Sequence, residues 1–565
     1  KKRGIRINYD FLTDGWNVPA DCGAPALPKV HAGTRVVYLF HPALIRLQKE
    51  RISAFMNRVN PHTGLAYKDD PVLSAVELIN ETSFYGSGET GEKSDLPEEY
   101  AKELDRQFIT WLKENYKSTP ALAKEWGELE AGESLESGSV GRKFSKTSSP
   151  ARARDVILFY SELETRYVKE LTTHLRGLGY RGLIGGNNNW YGVAGMRSQC
   201  DADFTDIHGY KSHPQFTSGK WDRLSFTIQN YPAVDAPEGL SKAYSAWWPN
   251  GLPMHKWTLG NFSAKPAVSS EWNWCFPGET LAEGPPLVAA YGSLQNMAGL
   301  YLYEGDHWIY PDPVNFFGLQ PSFFSQLPAA VIAFLRGDIQ VAKKTVLIPY
   351  THSEAAESTA KYMKAFTHGK EKEIPLALAL IHKVRKLWTP ESRTAEGFET
   401  PTSPYVSDTG ELRWEAKDQK NGLVTIDAPR YQALVGHPNG RTPSTGSLKW
   451  ANGKNFAVIS AVSLDGQALG DSGKILLAVT GKMEYPGQLW KDEKKNALLS
   501  YGEGVAGQFE PVEGNLSIFS AKKLKAFAID EKGERGSEIP LRVSGNEQIL
   551  SLKELRSPWI HFVEN

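Results

Sequence analysis

Cysteine is scarce. Cys22, Cys200 and Cys275 are odd in number and far apart in a chain of 565 residues, so the sequence offers neither a disulfide framework nor the paired spacing of a zinc site. Long apolar runs are missing as well: a stretch such as residues 327–335 is far too short to cross a bilayer. Neither sign of charge is in excess, since 64 Lys+Arg stand against 65 Asp+Glu for a net charge of -1. That balance gives no electrostatic reason to expect a nucleic acid or an acidic membrane as partner. The sequence contains no Gly-rich phosphate loop and no Ser or Cys nucleophile motif, and it implies no cofactor and no metal. Lys1-Lys2-Arg3-Gly4 leads straight into the strand-like Ile5-Arg6-Ile7-Asn8-Tyr9 instead of the apolar core of a signal peptide. An export signal upstream of residue 1 would make the protein secreted or periplasmic.

What is present is a long chain, with room for two or three domains, and many aromatics, including 16 Trp. Most Trp are expected in the core, while an exposed Trp face is a platform for the apolar C–H face of a sugar. Residues 1–337 read as repeated strand-then-helix units, the pattern of a parallel sheet with crossover helices. Strands are expected over 4–11, 71–79, 182–186, 204–207, 267–270 and 299–303. Helices are expected from His41-Pro42 onward, with Leu44, Ile45, Leu47, Ile52, Phe55 and Val59 as the apolar stripe, and over 100–116 and 155–178. The polar stretch 82–150 interrupts the rhythm, and its segment 131–150 reads as a solvated face.

Polar and aromatic residues gather after the strands. Asn80-Glu81 closes the second, Asn187-Asn188-Asn189-Trp190-Tyr191 follows the third, His208-Gly209-Tyr210 the fourth, Glu271 the fifth, and Glu304, Asp306, His307 and Trp308 the sixth. In a (β/α)8 barrel that end is the active face. Two carboxylates held rigidly at strand ends suit cleavage of a glycosidic bond, which needs one protonated carboxyl for the leaving oxygen and one ionised carboxylate against the sugar carbon. A metal held by Glu304, Asp306 and His307 has no defensible ligand spacing. After residue 338 the texture changes. A connecting segment, 338–400, carries an expected strand at 345–350 and helix at 376–387, and short alternating runs over 401–565 read as an all-β sandwich.

Strand-Asn80-Glu81, strand-Glu271-Trp272-Asn273 and the ordered strands between them resemble the clan A glycoside hydrolases, the retaining (β/α)8-barrel superfamily of cellulases, mannanases, β-galactosidases and agarases. Trp111-Leu112-Lys113-Glu114-Asn115-Tyr116 with Ala121–Gly127 is similar to a helical segment of barrel β-galactosidases. The stretches 406–414, 424–430 and 463–466 look like the sandwich tail of agarase-like members. The resemblance implies Glu81 after barrel strand four as general acid/base and Glu271 after strand seven as nucleophile. It implies Asn80 against the sugar hydroxyl next to the reacting carbon, His208 and Tyr210 bordering the nucleophile, and Trp308 as the floor of the subsite. Asn188, Asn189 and Trp190 are further expected subsite residues. Repulsion between the two carboxylates is expected to raise one of them, by resemblance Glu81.

The same count makes residues 4–11 strand three, so strands one and two, and the strand-two Arg of the clan, have no counterpart. The sequence is therefore expected to be an N-terminally incomplete barrel, a truncated piece or one whose gap other segments or another chain fill. The leading expectation is a retaining β-glycosidase with a carbohydrate substrate. The alternative is a non-catalytic carbohydrate-binding protein on the same barrel, or one in which the sandwich does the binding.

Overall fold

The computed structural model describes the chain apart from residues 1–3, 14–17, 20, 28–33, 86–95, 128, 143–147, 189–191, 217–221, 223, 238–251, 305–315, 317, 363–373, 418–419, 503–506 and 531. Its first part is built on parallel strands: β1 (Ile7–Asp10), β2 (Leu73–Ile79), β3 (Leu183–Asn187), β4 (Thr205–Asp206) and β5 (Gly209–Lys211). After a small hairpin, β6 (Gln215–Phe216) with β7 (Phe226–Thr227), come β8 (Ala267–Trp274) and β9 (Met297–Leu302). β1 pairs with β2, and β2 with β3, all parallel. A parallel bridge between Gly185 and Phe204 carries the order on to β4, and β4 and β5 both lie along β8, which in turn pairs with β9. The strands therefore follow one another in space as in sequence.

Helices fill the crossovers, each buried along one stripe. α1 (Val37–Phe40) and α2 (Pro42–Met56) lie between β1 and β2, and Pro42 starts α2 at a position where its missing N–H costs nothing. Between β2 and β3 come α3 (Glu98–Tyr116), α4 (Thr119–Trp126) and α5 (Pro150–Gly177). α3 buries Tyr100, Leu104, Phe108 and Leu112 at helical spacing. α5 starts where the Ser149 side chain accepts from the Arg152 N–H. The segment expected as a solvated face is exposed at 131–132 and 136–139 and anchored between: Leu135 and Val140 are buried, and Arg152 donates to both oxygens of Glu133 at 2.9 and 2.7 Å. α6 (Pro253–Gly260) precedes β8, and α7 (Gly284–Leu294) joins β8 to β9. α7 is buried on every side, as a helix wedged between layers must be. Among the described residues the outer edges of β1 and β9 pair with nothing, and the sheet does not close into a barrel.

α8 (Pro321–Arg336) leads to β10 (Thr345–Tyr350), α9 (His352–Tyr362) and β11 (Lys383–Trp388). The expected helix over 376–387 is thereby corrected. Leu376–Leu380 forms a short 3-10 turn, and Lys383–Trp388 lies in parallel register beside β10 from Thr345↔Lys383 to Tyr350↔Trp388. Apolar residues at 376, 380, 384 and 387 fit helical spacing, but strand pairing satisfies the same backbone groups and won.

The remainder is antiparallel. A nine-stranded sheet runs from Tyr405–Val406 through Leu412–Lys417, Lys420–Asp427, Tyr431–Gly436, Ala457–Ser463, Lys474–Thr480, Trp559–Glu564 and Leu524–Ile529 to Arg535–Ile539. A four-stranded sheet holds Leu448–Ala451, Asn515–Phe519, Glu547–Ser551 and Arg542–Ser544. Leu434, Leu448, Trp450, Ile459, Leu477 and Phe562 belong to a core these strands share. The larger sheet also joins the first part. Trp414 Nε1 donates to the Val234 carbonyl at 2.7 Å and its ring packs on Tyr291 of α7 at 5.4 Å. On α8, Gln326 Nε2 donates to Thr480 Oγ1 at 2.9 Å and Ser460 Oγ donates to Gln326 Oε1 at 2.7 Å. Gly422 lies so close to the Val234 carbonyl that a Cβ there would stand 1.8 Å from the oxygen. No helix among the described residues is long and apolar enough to cross a membrane.

Because Trp414 is fully buried at this junction, Trp414→Ala removes both packing and a hydrogen bond. A loss of about 3–5 kcal/mol in unfolding free energy is expected, read as a lower urea midpoint of the full chain.

Candidate active site

The carboxyl ends of the strands converge on one imidazole. His208 lies between β4 and β5, 8% exposed. Its Nδ1 stands 2.6 Å from Glu81 Oε1 and 3.4 Å from Glu271 Oε2, and its Nε2 is 3.0 Å from Ser270 Oγ. Tyr210, two residues on and therefore on the same face of the strand, donates its hydroxyl to Glu271 Oε2. Glu81, His208 and Glu271 each bring one oxygen or nitrogen within 4.8 Å of the others. Two carboxylates and an imidazole are a donor set that can gather a cation. The 2.6 Å approach of Nδ1 to Glu81 Oε1 equally suits a proton shared between the two.

Glu81 stands two residues past the end of β2, and its backbone is left-handed, φ 39°, a conformation that a glutamate adopts only when its surroundings hold it there. Asn188 does the holding: its Oδ1 accepts the Glu81 N–H at 2.8 Å, and its Nδ2 donates to Asn80 Oδ1 and to Glu77 Oε2, both at 2.9 Å. Asn188 is 1% exposed. Both ends of its amide are thus engaged in the protein, framing Asn80 and Glu81. Arg35 Nη1 adds a contact to the Asn80 carbonyl at 3.4 Å. Glu271 sits within β8 and not after it, as the strand runs on to Trp274.

Beneath this layer lies a set of acids that the sequence reading passed over. Glu77, 1% exposed in mid-β2, accepts from Asn8 Nδ2 at 2.6 Å with one oxygen and from Asn188 with the other. Asp206 on β4, 2% exposed, accepts the Ser270 N–H at 2.8 Å. Asp10 closes β1 in register with Glu77. A signal for them existed: Asn8 and Asp10 alternate on one face of β1, and Glu77 interrupts an otherwise apolar strand, so both strands had to turn polar groups inward.

Electrostatics follow from this crowding. Burial and the neighbouring Asp206 push Glu77 up, and burial likewise raises Asp206; burial and Glu77 bring Asp10 to about 7. Burial alone would press His208 down, but Glu271, Glu81 and Asp206 outweigh it and lift the imidazole to about 10. Desolvation works to raise Glu81, yet His208, by charge and by hydrogen bond, together with Arg35, holds it below the usual carboxylate range. Glu271 goes up, chiefly by burial and with the charge of Glu81 adding, against His208 and the Tyr210 hydroxyl. The expected order is thus reversed. Burial raises both carboxyls, and the direct imidazole bond, with the charges of His208 and Arg35, overcomes it at Glu81 but not at Glu271.

The structure brings Asn80, Glu81, Asn188, His208, Tyr210 and Glu271 together. Asn189, Trp190 and Trp308, and with them Asp306 and His307, lie outside the described residues. Tyr303, on the strand end before Glu304, meets Tyr210 edge-on at 6.2 Å, and His213 meets Tyr210 at 5.6 Å, so both border the same face.

Two outcomes are expected. Tyr210→Phe removes a donor from the ionised form of Glu271, so the pH at which that carboxyl ionises rises, as 13C NMR titration of the Glu side-chain carbons would record. Glu77 binds its proton more tightly folded than unfolded; its contribution to stability is present at pH below about 4.5 and lost as pH rises through its native value. Glu77→Gln should therefore flatten the decline of unfolding free energy with rising pH.

No family model matches the chain. Mannan endo-1,4-beta-mannosidase 1 of Solanum lycopersicum is 36% identical over 88 residues, which are 14% of this chain and 21% of that protein. Among solved structures, a polyextremophilic beta-galactosidase from the Antarctic haloarchaeon Halorubrum lacusprofundi aligns over 93% of this chain and 83% of its own at 12% identity and a TM-score of 0.42. A beta-galactosidase from the psychrophilic Marinomonas ef1 aligns over 64% and 54% at 11% identity and 0.40, and an endo-1,4-beta-mannanase from Rhizomucor miehei over 59% and 73% at 13% and 0.31. The chain thus spans about a fifth of the curated relative it matches and about half of the Marinomonas enzyme.

Proposed function

We propose that the chain is a retaining glycoside hydrolase that cleaves β-glycosidic bonds of a poly- or oligosaccharide. The observation that carries this reading is the approach of Glu81 and Glu271 oxygens to within 4.8 Å at the carboxyl ends of parallel strands. A retaining pair stands about 5–5.5 Å apart, whereas an inverting pair leaves about 6.5–9.5 Å for a water. The mannan-directed name of the tomato relative agrees with a β-linked substrate but reaches only a small part of the chain. In the same reading the parallel strands are strands three to eight of a (β/α)8 barrel over residues 1–337, followed by a connecting segment, 338–400, and a β-sandwich domain, 401–565.

In the first step a Glu271 oxygen bonds to the anomeric carbon as the carbon–oxygen bond to the leaving group breaks, and the proton of Glu81 passes to that leaving oxygen. In the second, Glu81 takes a proton from water, the water oxygen bonds to the anomeric carbon, and the ester to Glu271 breaks. The Tyr210 hydroxyl favours the ionised Glu271 that attack requires. Asn188, by occupying Asn80 Oδ1, leaves the Asn80 amide nitrogen to donate to the hydroxyl beside the reacting carbon. Trp308, Asn189 and Trp190 are assigned to the sugar subsites.

Glu271→Ala should lower kcat/KM for aryl β-glycosides by roughly three orders of magnitude, about 4 kcal/mol of transition-state stabilisation. Glu81→Ala should recover turnover with azide, giving the β-glycosyl azide, and a 2-fluoro-glycosyl reagent should label Glu271 in peptide maps. More than a few per cent of wild-type hydrolysis in Glu271→Ala would remove Glu271 as nucleophile.

A further inference from the structure

We propose that His208 stores the proton that Glu81 delivers, so that the resting site and the acid-ready site are two placements of one proton along the line from His208 Nδ1 to Glu81 Oε1. The inference rests on the glycosidase reading and gives His208 a role beyond bordering the nucleophile.

Geometry supports a shared proton. Nδ1 faces Glu81 Oε1 at 2.6 Å, the distance of a charge-assisted hydrogen bond, and Glu271 Oε2 at 3.4 Å. The ring is buried, and its other nitrogen is occupied by Ser270 Oγ at 3.0 Å, so the imidazole cannot turn away to trade its proton with bulk water. The groups that face His208 are all acids. Glu81 comes from the turn after β2, Glu271 from β8 and Asp206 from β4, with Asp10 of β1 and Glu77 of β2 farther off. The cations of the site act on the other partner: Arg35, His213 and Lys256 bear on Glu81. The shifts already described run the same way, with the imidazole lifted and Glu81 depressed.

Charge and protons balance. In the resting form an imidazolium and two carboxylates sum to a single negative charge. Moving the Nδ1 proton to Oε1 breaks one N–H bond, makes one O–H bond, and leaves a neutral imidazole, a carboxylic acid at Glu81 and a carboxylate at Glu271, again with a single negative charge. No proton from solvent is needed. The trigger is the sugar itself: Glu81 is the more exposed of the two carboxyls, and a bound ring strips its water. Desolvation penalises the charge-separated imidazolium–carboxylate pair relative to the neutral one, so the proton moves as the substrate seats.

The test compares full-length wild type with His208→Gln on two aryl β-glycosides of the same sugar, a phenyl glycoside that needs protonation and a dinitrophenyl glycoside that does not. The variant is expected to lose about 100-fold or more in kcat on the phenyl substrate and less than about 10-fold on the dinitrophenyl one, in line with the usual worth of general acid catalysis. Its basic limb on the phenyl substrate should also shift to lower pH, because the proton now belongs to the two carboxyls alone. Equal losses on both substrates, or an unmoved basic limb, overturn the inference while leaving the glycosidase reading intact. A wild type silent on both glycosides overturns both. 15N NMR of histidine-labelled wild type reads the stored proton without turnover: an imidazolium at His208 between about pH 6 and 9 is expected, given an ordinary histidine near 6.5, and a neutral ring across that range overturns the proposal.

Discussion

Five carboxyl groups and one imidazole meet at the carboxyl ends of these strands, and the rest of the site depends on how that excess of negative charge is held. Asp10, Glu77, Glu81, Asp206 and Glu271 cannot all ionise in a low-dielectric interior. Protons retained on the lower acids and the imidazolium at His208 keep the assembly together. Amide side chains do the remaining work: Asn8 and Asn188 give Glu77 its two donors, and Asn188 passes the constraint up to the left-handed backbone of Glu81. The upper pair of carboxyls is therefore only as well placed as the buried layer under it.

Much of the upper layer could be read from sequence. Glu81 and His208 stand just past strands, and Tyr210 and Glu271 within theirs, in an order that parallel sheets impose, and apolar runs with polar closures mark such regions without any knowledge of contacts. The lower layer was harder. An acid within a strand looks like an interruption of hydropathy, and only the register of Asp10 against Glu77 and the bridge from Gly185 to Phe204 show these groups facing a common interior. Asn188 shows a related limit: its position after a strand marks it as available to a ligand, and the direction of its side chain is set by Glu77 and Glu81, far from it in sequence. The exchange of the expected helix at 376–387 for β11 has the same origin, since pairing with β10 is long-range information that local periodicity does not contain.

The antiparallel part is no appendage. Trp414, Val424, Ile426 and Tyr431 fall in the same continuous core as Val76, Ile184 and Trp257, and the polar joint of Gln326 with Thr480 and Ser460 is buried and satisfied. Gly422 shows how tightly the two parts meet, because any side chain there would collide with the Val234 carbonyl.

α7 draws these facts together. An eleven-residue helix with no exposed side, it borders β8, which carries Glu271, and meets the large antiparallel sheet through Tyr291 against Trp414. Such a helix has no independent way to be wetted, so the strand bearing the central carboxylate and that distant sheet are expected to share one cooperative melting event. Disturbance of the sheet then reaches the site as a change in how often the whole molecule opens, and the sheet becomes a determinant of the lifetime of the carboxylate cluster.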